Sequence, residues 1–452
     1  MIRTVMRSAA ACSAAGLALV PALTLPAPAG AVSPPSVDAS VPPPAGTVGP
    51  TVPMAQRGEC VVTGLRPGTN VAAVPAATRM LNLAEAWRFS RGEGQTVAVI
   101  DTGVRPGPRL PNVSAGGDYL GAGDGLTDCD GHGTMVAGII AGQPGTDGFS
   151  GVAPAARLIS LRQTSARFAP VSPGEDPALT RAVADIGALA RAVVHAADLG
   201  ARVINISGVT CLPVTTTIDQ NALGAALRYA AVDKDAVIVA AAGNAEPIGL
   251  AGGAACQSNP QAWAGVTSVS VPSWWQPYVL SVGSVGSDGQ PSPFTMAGPW
   301  LGLAAPGADV ISLSNGPDAG LANGTPNERG ELQPASGSSF AAAYVSGVAA
   351  LVRSHYPELT AAQVVQRLTA TAHNGARAPS NLVGAGVVDP VAALTWQLQT
   401  PPAGGVTEIA APRPVAAPNH TPRIVAFGGT AVLALAVAAA GVAAHRRKEH
   451  SA

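Results

Sequence analysis

The run Thr96-Val97-Ala98-Val99-Ile100-Asp101-Thr102-Gly103 opens with small and β-branched residues and ends in an acid. Five such residues without polar alternation are the pattern of a strand buried on both faces of a parallel sheet. Asp101 then stands at the C-terminal end of that strand, where active sites of doubly wound α/β sheets collect. Apolar runs at 158–161, 203–206, 237–241 (within 236–242) and 279–282 repeat the pattern, with helical spacing between them at 179–199 and 221–232. This alternation predicts an α/β fold: a doubly wound, mostly parallel sheet with helices on both faces.

Two further runs carry chemistry. Asp130-Gly131-His132-Gly133-Thr134-Met135-Val136-Ala137-Gly138 holds a base, and Gly337-Ser338-Ser339-Phe340-Ala341 holds a hydroxyl. A serine hydroxyl is a weak nucleophile until a histidine accepts its proton, and the histidine needs a carboxylate to fix its tautomer. Asp101, His132 and Ser339 are therefore the candidate catalytic residues: orienting acid, general base and then acid, and nucleophile. Residues 340–355 are Ala-rich with apolar positions at helical spacing, which puts Ser339 at a helix N-terminus, where the dipole favours negative charge. Residues 135–140 read as a helix opening just after His132. Any one of these runs alone is more often a turn than a site; three in the order Asp, His, Ser form a set.

That order is the one found in subtilisin, and the three runs resemble the subtilisin-like (subtilase) signatures. The resemblance implies a serine endopeptidase. It also implies that Ala241-Ala242-Gly243-Asn244 is the oxyanion segment, with the Asn244 side-chain amide and the Ser339 backbone N–H facing the tetrahedral intermediate. Val203-Ile204-Asn205-Ile206-Ser207 resembles the substrate-binding strand, so Ser207, Gly208 and Val209 are the expected substrate contacts. Here the chain departs from the family, which usually has glycines after that serine. Val209 narrows the primary pocket and predicts a preference for small side chains before the scissile bond. Ser338 stands for the usual threonine and keeps its hydroxyl, and Ala343 stands for a proline within the nucleophile helix without disturbing helix formation.

Composition limits the alternatives. With 452 residues, 47% of them hydrophobic, the chain can bury a substantial core. A net charge of −1 and no Lys/Arg cluster away from the termini argue against nucleic acid as a partner. Asp124, Asp128 and Asp130 form an acidic loop with oxygens of the kind calcium uses, but Asp130 belongs to the histidine run and such sites need several convergent oxygens. No H-E-x-x-H, paired C-x-x-C or phosphate loop occurs, so neither metal nor cofactor is expected.

The ends of the chain are addressing segments. Arg3 and Arg7, an apolar stretch over 9–25 and Ala29-Gly30-Ala31 read as a signal peptide, 1–31. Residues 32–94 form an N-terminal extension whose first part, to 53, is Pro-, Ala- and Ser-rich and reads as extended or disordered. The rest, from Cys60, reads as a segment that wraps the enzyme domain, 95–398. Within that domain 162–177 reads as a polar loop. A Pro-rich linker at 399–423 leads to 424–444, uncharged and long enough to span a bilayer, and to a tail at 445–452 containing His445-Arg446-Arg447-Lys448. The basic tail predicts a cytoplasmic C-terminus and an extracytoplasmic enzyme.

Export makes cysteines structural. Besides Cys12 in the signal, Cys60, Cys129, Cys211 and Cys256 allow three pairings into two disulfides. Cys211 and Cys256 follow runs that end near 206 and 242 and are expected to neighbour in the sheet. This favours Cys211–Cys256 and leaves Cys60–Cys129 to staple the extension beside the His132 loop; free buried thiols are the alternative. The ensemble of signal, cysteine-bearing extension, subtilase domain, proline-rich linker and single anchor resembles the mycosins, membrane-anchored proteases of actinobacterial type VII secretion. Residues 339–353 and 386–394 are similar to that family's late segments. The resemblance implies a secreted protein substrate, cut at the outer face of the cell membrane, and association with the secretion membrane complex, which the protein stabilises independently of catalysis in a second, structural reading.

Overall fold

The computed structural model of the chain describes residues 32–245, 256–327, 329–373, 375, 380–398 and 421–449. The signal-peptide reading of 1–31 and most of the linker reading of 399–423 lie outside the described residues. The chain divides into two compact units, Met1–Gln397 and Leu398–Ala452.

The first unit is built on strands β1 (Thr96–Asp101), β2 (Val113–Asp118), β3 (Arg157–Arg162), β4 (Val203–Ile206), β5 (Val237–Ala241), β6 (Val279–Val285) and β7 (Leu301–Pro306). Among the described residues these seven form one sheet in the order β7-β6-β5-β4-β1-β3-β2, every pair parallel. The chain leaves β1 toward one side for β2 and β3, then returns across it to β4 and continues outward the other way. The order therefore reverses between β1 and β4, and ligands of open α/β sheets bind in the crevice beyond the strand ends at such a point. Asp101 ends β1, and Ser207 follows β4.

Strand residues alternate faces, and both faces are apolar. Val97, Val99, Val203, Val237 and Val239 pack with helices α1 (His132–Ala141) and α4 (Ser338–His355). Ala98, Ile100, Ile204, Ile206 and Ile238 pack with α2 (Pro177–Asp198) and α3 (Asn221–Arg228). The two helices that carry His132 and Ser339 thus share one face of the sheet. α4 is buried from Ser338 through Arg353, so its Ala, Gly and Ser content reflects how closely it lies against the strands.

Several element bounds differ from expectation for local reasons. α1 begins at His132 itself rather than after it. α2 starts two residues earlier than the apolar spacing, because Asp176 caps it by accepting from the Leu179 N–H and Pro177 suits its first turn. The 221–232 helix is regular only to Arg228 and widens into a π turn at Tyr229–Asp233.

The 162–177 loop contains a short strand, Phe168–Pro170, paired antiparallel with Met54–Gln56 of the extension. The extension lies against the enzyme along its described length. Gly49 N–H donates to the Asp118 carbonyl at 3.0 Å, Val61 N–H to the Cys129 carbonyl at 2.9 Å, and Thr63 N–H to Asn315 Oδ1 at 3.0 Å. Cys60 is bonded to Cys129 and Cys211 to Cys256. Cys211 lies in Thr210–Pro213, which pairs antiparallel with Ser268–Val271.

In the second unit the described residues form one helix, Thr421–Glu449, whose segment Phe427–Ala444 has a mean hydropathy of 2.0. By length and composition it is able to cross a membrane.

Candidate active site

Each candidate group arrives from a different element. β1 ends in Asp101, α1 begins with His132, and α4 carries Ser339 in its first turn. Asp101 Oδ1 lies 2.7 Å from His132 Nδ1, and His132 Nε2 lies 2.9 Å from Ser339 Oγ. All three residues are buried: Asp101 is 1% exposed, His132 2% and Ser339 6%. Thr102 N–H donates to Asp101 Oδ1 at 2.7 Å, and Phe340 lays its ring on the imidazole with centroids 5.1 Å apart, which fixes the ring plane. Loss of water around the imidazole pulls its pKa down, but the adjacent Asp101 carboxylate, then Asp128 and Asp130, more than offset this and hold it above the ordinary histidine value.

Asn244 follows β5 and bridges to Thr295. Its Oδ1 accepts from the Ser338 N–H at 3.0 Å and the Ser338 hydroxyl at 3.1 Å. The same hydroxyl accepts from the Gly243 N–H at 3.1 Å, and its one proton is shared between Asn244 Oδ1 and the Gly243 carbonyl. With its oxygen held by Ser338, the amide nitrogen is turned toward Gly337, 3.6 Å from where a Cβ would stand, with Ser339 Oγ 3.1 Å from the same point. Ser338 is therefore a hinge pin between the nucleophile helix and the Asn244 segment. A serine or threonine hydroxyl serves this purpose, which accounts for the departure from the family pattern.

The substrate candidates separate. Gly208 and half-buried Val209 line a cleft of about 510 Å³ together with Gln163, Thr164, Leu189 and Cys211. Ser207 turns its side chain inward and accepts from Asn205 Nδ2 at 2.7 Å, while Asn205 Oδ1 accepts from Ser346 of α4 at 2.9 Å. A buried hydroxyl–amide–hydroxyl chain thus couples the strand end beside the cleft to the nucleophile helix.

Sequence reasoning weighed Asp128 only as an oxygen of a calcium loop and missed its role beside His132. Its Oδ1 accepts from Thr102 Oγ1 and from the Asp130 and Gly131 N–H groups, and its Oδ2 from the Thr134 N–H and hydroxyl, at 2.6–3.1 Å. These bonds fold the chain before His132 into an Asx turn and tie it to the end of β1. Burial pushes the Asp128 carboxyl up to about 6 against these hydrogen bonds. Burial likewise raises Asp130, which accepts from the Ser165 hydroxyl and the Ala166 N–H. Asp124 caps its own turn through the Leu126 N–H. The acidic loop is thus supplied with protein donors, and among the described residues no cluster of three or more His, Cys, Asp or Glu suits a metal. The available signal is the pair of acids and the glycine, Asp128-x-Asp130-Gly131, immediately before a helix start.

Residues 92–386 match the profile of the Subtilase family. Mycosin-3 of Mycobacterium tuberculosis (strain ATCC 25618 / H37Rv) is 59% identical over 98% of this chain and 99% of its own. The chain belongs to the subtilase family, among the mycosins. Mycosin-1 of Mycolicibacterium smegmatis (strain ATCC 700084 / mc(2)155) is 46% identical over 96% of this chain and 98% of its own. The solved MycP3 protease from the type VII (ESX-3) secretion system has 67% sequence identity and a TM-score of 0.78, covering 81% of this chain and 100% of that one. A chain of the intact ESX-5 inner membrane complex has 46% identity and the same TM-score of 0.78, covering 91% of this chain and 100% of that one. This mycosin is a subtilisin-like serine endopeptidase, and Asp101 and Ser339 each lie within hydrogen-bonding distance of His132.

Proposed function

We propose that this mycosin is a membrane-anchored endopeptidase that cuts secreted protein substrates of a type VII secretion system, with Ser339 as nucleophile, His132 as general base and acid, and Asp101 as the orienting carboxylate. The observation that carries this reading is the continuous contact from Asp101 through His132 to Ser339, at 2.7 and 2.9 Å. As Ser339 Oγ attacks the scissile carbonyl, its proton passes to His132 Nε2, and Asp101 stabilises the imidazolium. His132 then protonates the leaving amine, and a water molecule repeats the sequence on the acyl-enzyme.

The Asn244 amide and the Ser339 backbone N–H stabilise the oxyanion; loss of the corresponding side-chain donor in subtilisin itself costs about 10²–10³ in rate. Extended substrate adds as a strand along 207–209, its register set by main-chain hydrogen bonds. Half-buried Val209 stands where the family has a glycine beside the primary pocket and leaves room for small side chains before the scissile bond. Profiling with a peptide library is expected to recover Ala, Gly or Ser there, and strong cleavage after Phe or Tyr refutes the restriction.

The apolar segment Phe427–Ala444 and the basic residues Arg446 and Arg447 just after it in the same helix support a single span with the tail in the cytoplasm and the protease outside. A second reading, a structural subunit of the secretion membrane complex with catalysis secondary, is favoured by the similar chain within the intact ESX-5 inner membrane complex. Secretion of the system's substrates from cells carrying Ser339→Ala, set against a full deletion, separates the two. Failure in both, with the variant present and folded, makes proteolysis the essential role; survival in Ser339→Ala alone makes it the structural one.

A further inference from the structure

Gly243 has no room for a side chain. A Cβ there would lie 2.8 Å from Cys256 Sγ, 3.1 Å from Met296 Sδ and 3.5 Å from Cys211 Sγ. The Cys211–Cys256 bond is thus packed directly against the backbone that presents Asn244. Cys256 N–H donates to the Asn244 carbonyl at 2.8 Å, and Met296 N–H to the Gly243 carbonyl at 3.0 Å. The other half of the bond, Cys211, continues the chain two residues beyond Val209 and lines the same cleft. One covalent link therefore joins the strand along which substrate extends to the segment that meets the oxyanion.

We propose that Cys211 and Cys256 are positioning residues for peptide hydrolysis: their crosslink holds the Asn244 amide at a fixed place relative to Ser339 and the substrate strand. The inference rests on the reading of Asn244 as an oxyanion donor. Ser338 restrains the Asn244 side-chain oxygen, while the disulfide and the Cys256 amide restrain its backbone. The direction of the amide needs both restraints. Oxyanion stabilisation depends on donors already aimed at the developing charge, and a misplacement of about 1 Å is able to cost about 10²-fold in rate. A crosslink that merely stabilised the fold would leave this geometry unchanged in molecules that remain folded.

A double-mutant cycle on the full-length chain in detergent tests this. The readout is the second-order rate at which a fluorophosphonate probe labels Ser339. In that reaction a bond forms from Oγ to phosphorus, fluoride leaves, the hydroxyl proton passes to His132, and a phosphoryl oxygen occupies the oxyanion position. The four proteins are the parent, Asn244→Ala, Cys211→Ala with Cys256→Ala, and the triple variant. The labelled fraction at completion corrects each for folded sites.

Asn244→Ala is expected to slow labelling by about 10²-fold or more, and the cysteine pair by about 10-fold or more. The triple variant is expected to fall within about twofold of Asn244→Ala, because the crosslink acts through that amide. If the two effects multiply, or if the cysteine pair labels at the parent rate, the crosslink is only structural and the inference is overturned. If Asn244→Ala itself labels at the parent rate, the oxyanion reading falls and takes this one with it. Should the alanine pair fail to fold, Cys211→Val with Cys256→Ala restores apolar volume and replaces it in the same cycle.

Discussion

His132 is surrounded by negative charge, and its proton affinity decides where this enzyme works. Asp101, Asp128 and Asp130 together outweigh desolvation and raise its pKa above the ordinary value of about 6.5. With His132 as the proposed base, active as the neutral ring, the acid limb of kcat/KM is expected to lie above that value. A limb centred at or below it means that the carboxylates do not hold the proton. Asp128, pushed up to about 6 by burial, also titrates on folding. A carboxyl whose folded pKa exceeds the unfolded value of about 3.9 contributes stability that is present below the unfolded value and lost as pH rises through the folded one. The stability of the parent relative to Asp128→Asn, measured by denaturant unfolding, is therefore expected to fall between about pH 4 and about pH 7; a constant difference contradicts it. Asp128→Ala strands the buried Thr134 and Gly131 N–H groups and is expected to cost about 3 kcal/mol. Asp101, His132 and Ser339 were readable because each ends or begins a recognisable element. The role of Asp128 was not, because an acid in a loop reads alike whether its partner is a metal ion or neighbouring amides. The inward turn of Ser207 was equally hidden, since it depends on Asn205 meeting Ser346 from a helix 141 positions away in the chain.

The helix of His132 and the strand of Asp101 touch at Gly133 and Gly103. A Cβ on Gly133 would stand 2.0 Å from the Gly103 carbonyl oxygen and 3.2 Å from Asp101 Cβ. Backbone must move to accept it, which shifts the base relative to its acid. Gly133→Ala is therefore expected to reduce probe labelling of Ser339 by at least about 10²-fold while circular dichroism still reports a folded chain; labelling within twofold of the parent would show that the contact yields at little cost. Five of the seven sheet strands and the covered helices were legible because their apolar runs are uninterrupted, while Val113–Asp118 and Leu301–Pro306, each interrupted by glycine, were not. Thr210–Pro213, Ser268–Val271 and Phe168–Pro170 were not legible either, since each forms a two-stranded ribbon defined only by a partner distant in the chain. The π turn at Tyr229–Asp233 was equally invisible, since its residues continue the helical composition.

The first unit is stapled where its extension meets the His132 loop, and Cys60–Cys129 closes a separation of 69 residues. Replacing both cysteines by alanine is expected to lower stability by about 2–4 kcal/mol and to leave the probe rate of the folded fraction near that of the parent; a stability change below about 0.5 kcal/mol refutes the staple. Removing everything after Gln397 leaves the first unit whole and is expected to release the protease from the membrane fraction with its probe reactivity kept. Retention in the pellet contradicts a single anchor. The chain order has a further consequence. Asp101 and His132 are 31 positions apart, but Ser339 comes 207 positions after His132 and sits on a helix buried almost from end to end. A chain still emerging from a ribosome has the proposed acid and base but not the proposed nucleophile until residue 339 of 452 has been made. The order of synthesis itself therefore sets when the three groups first meet.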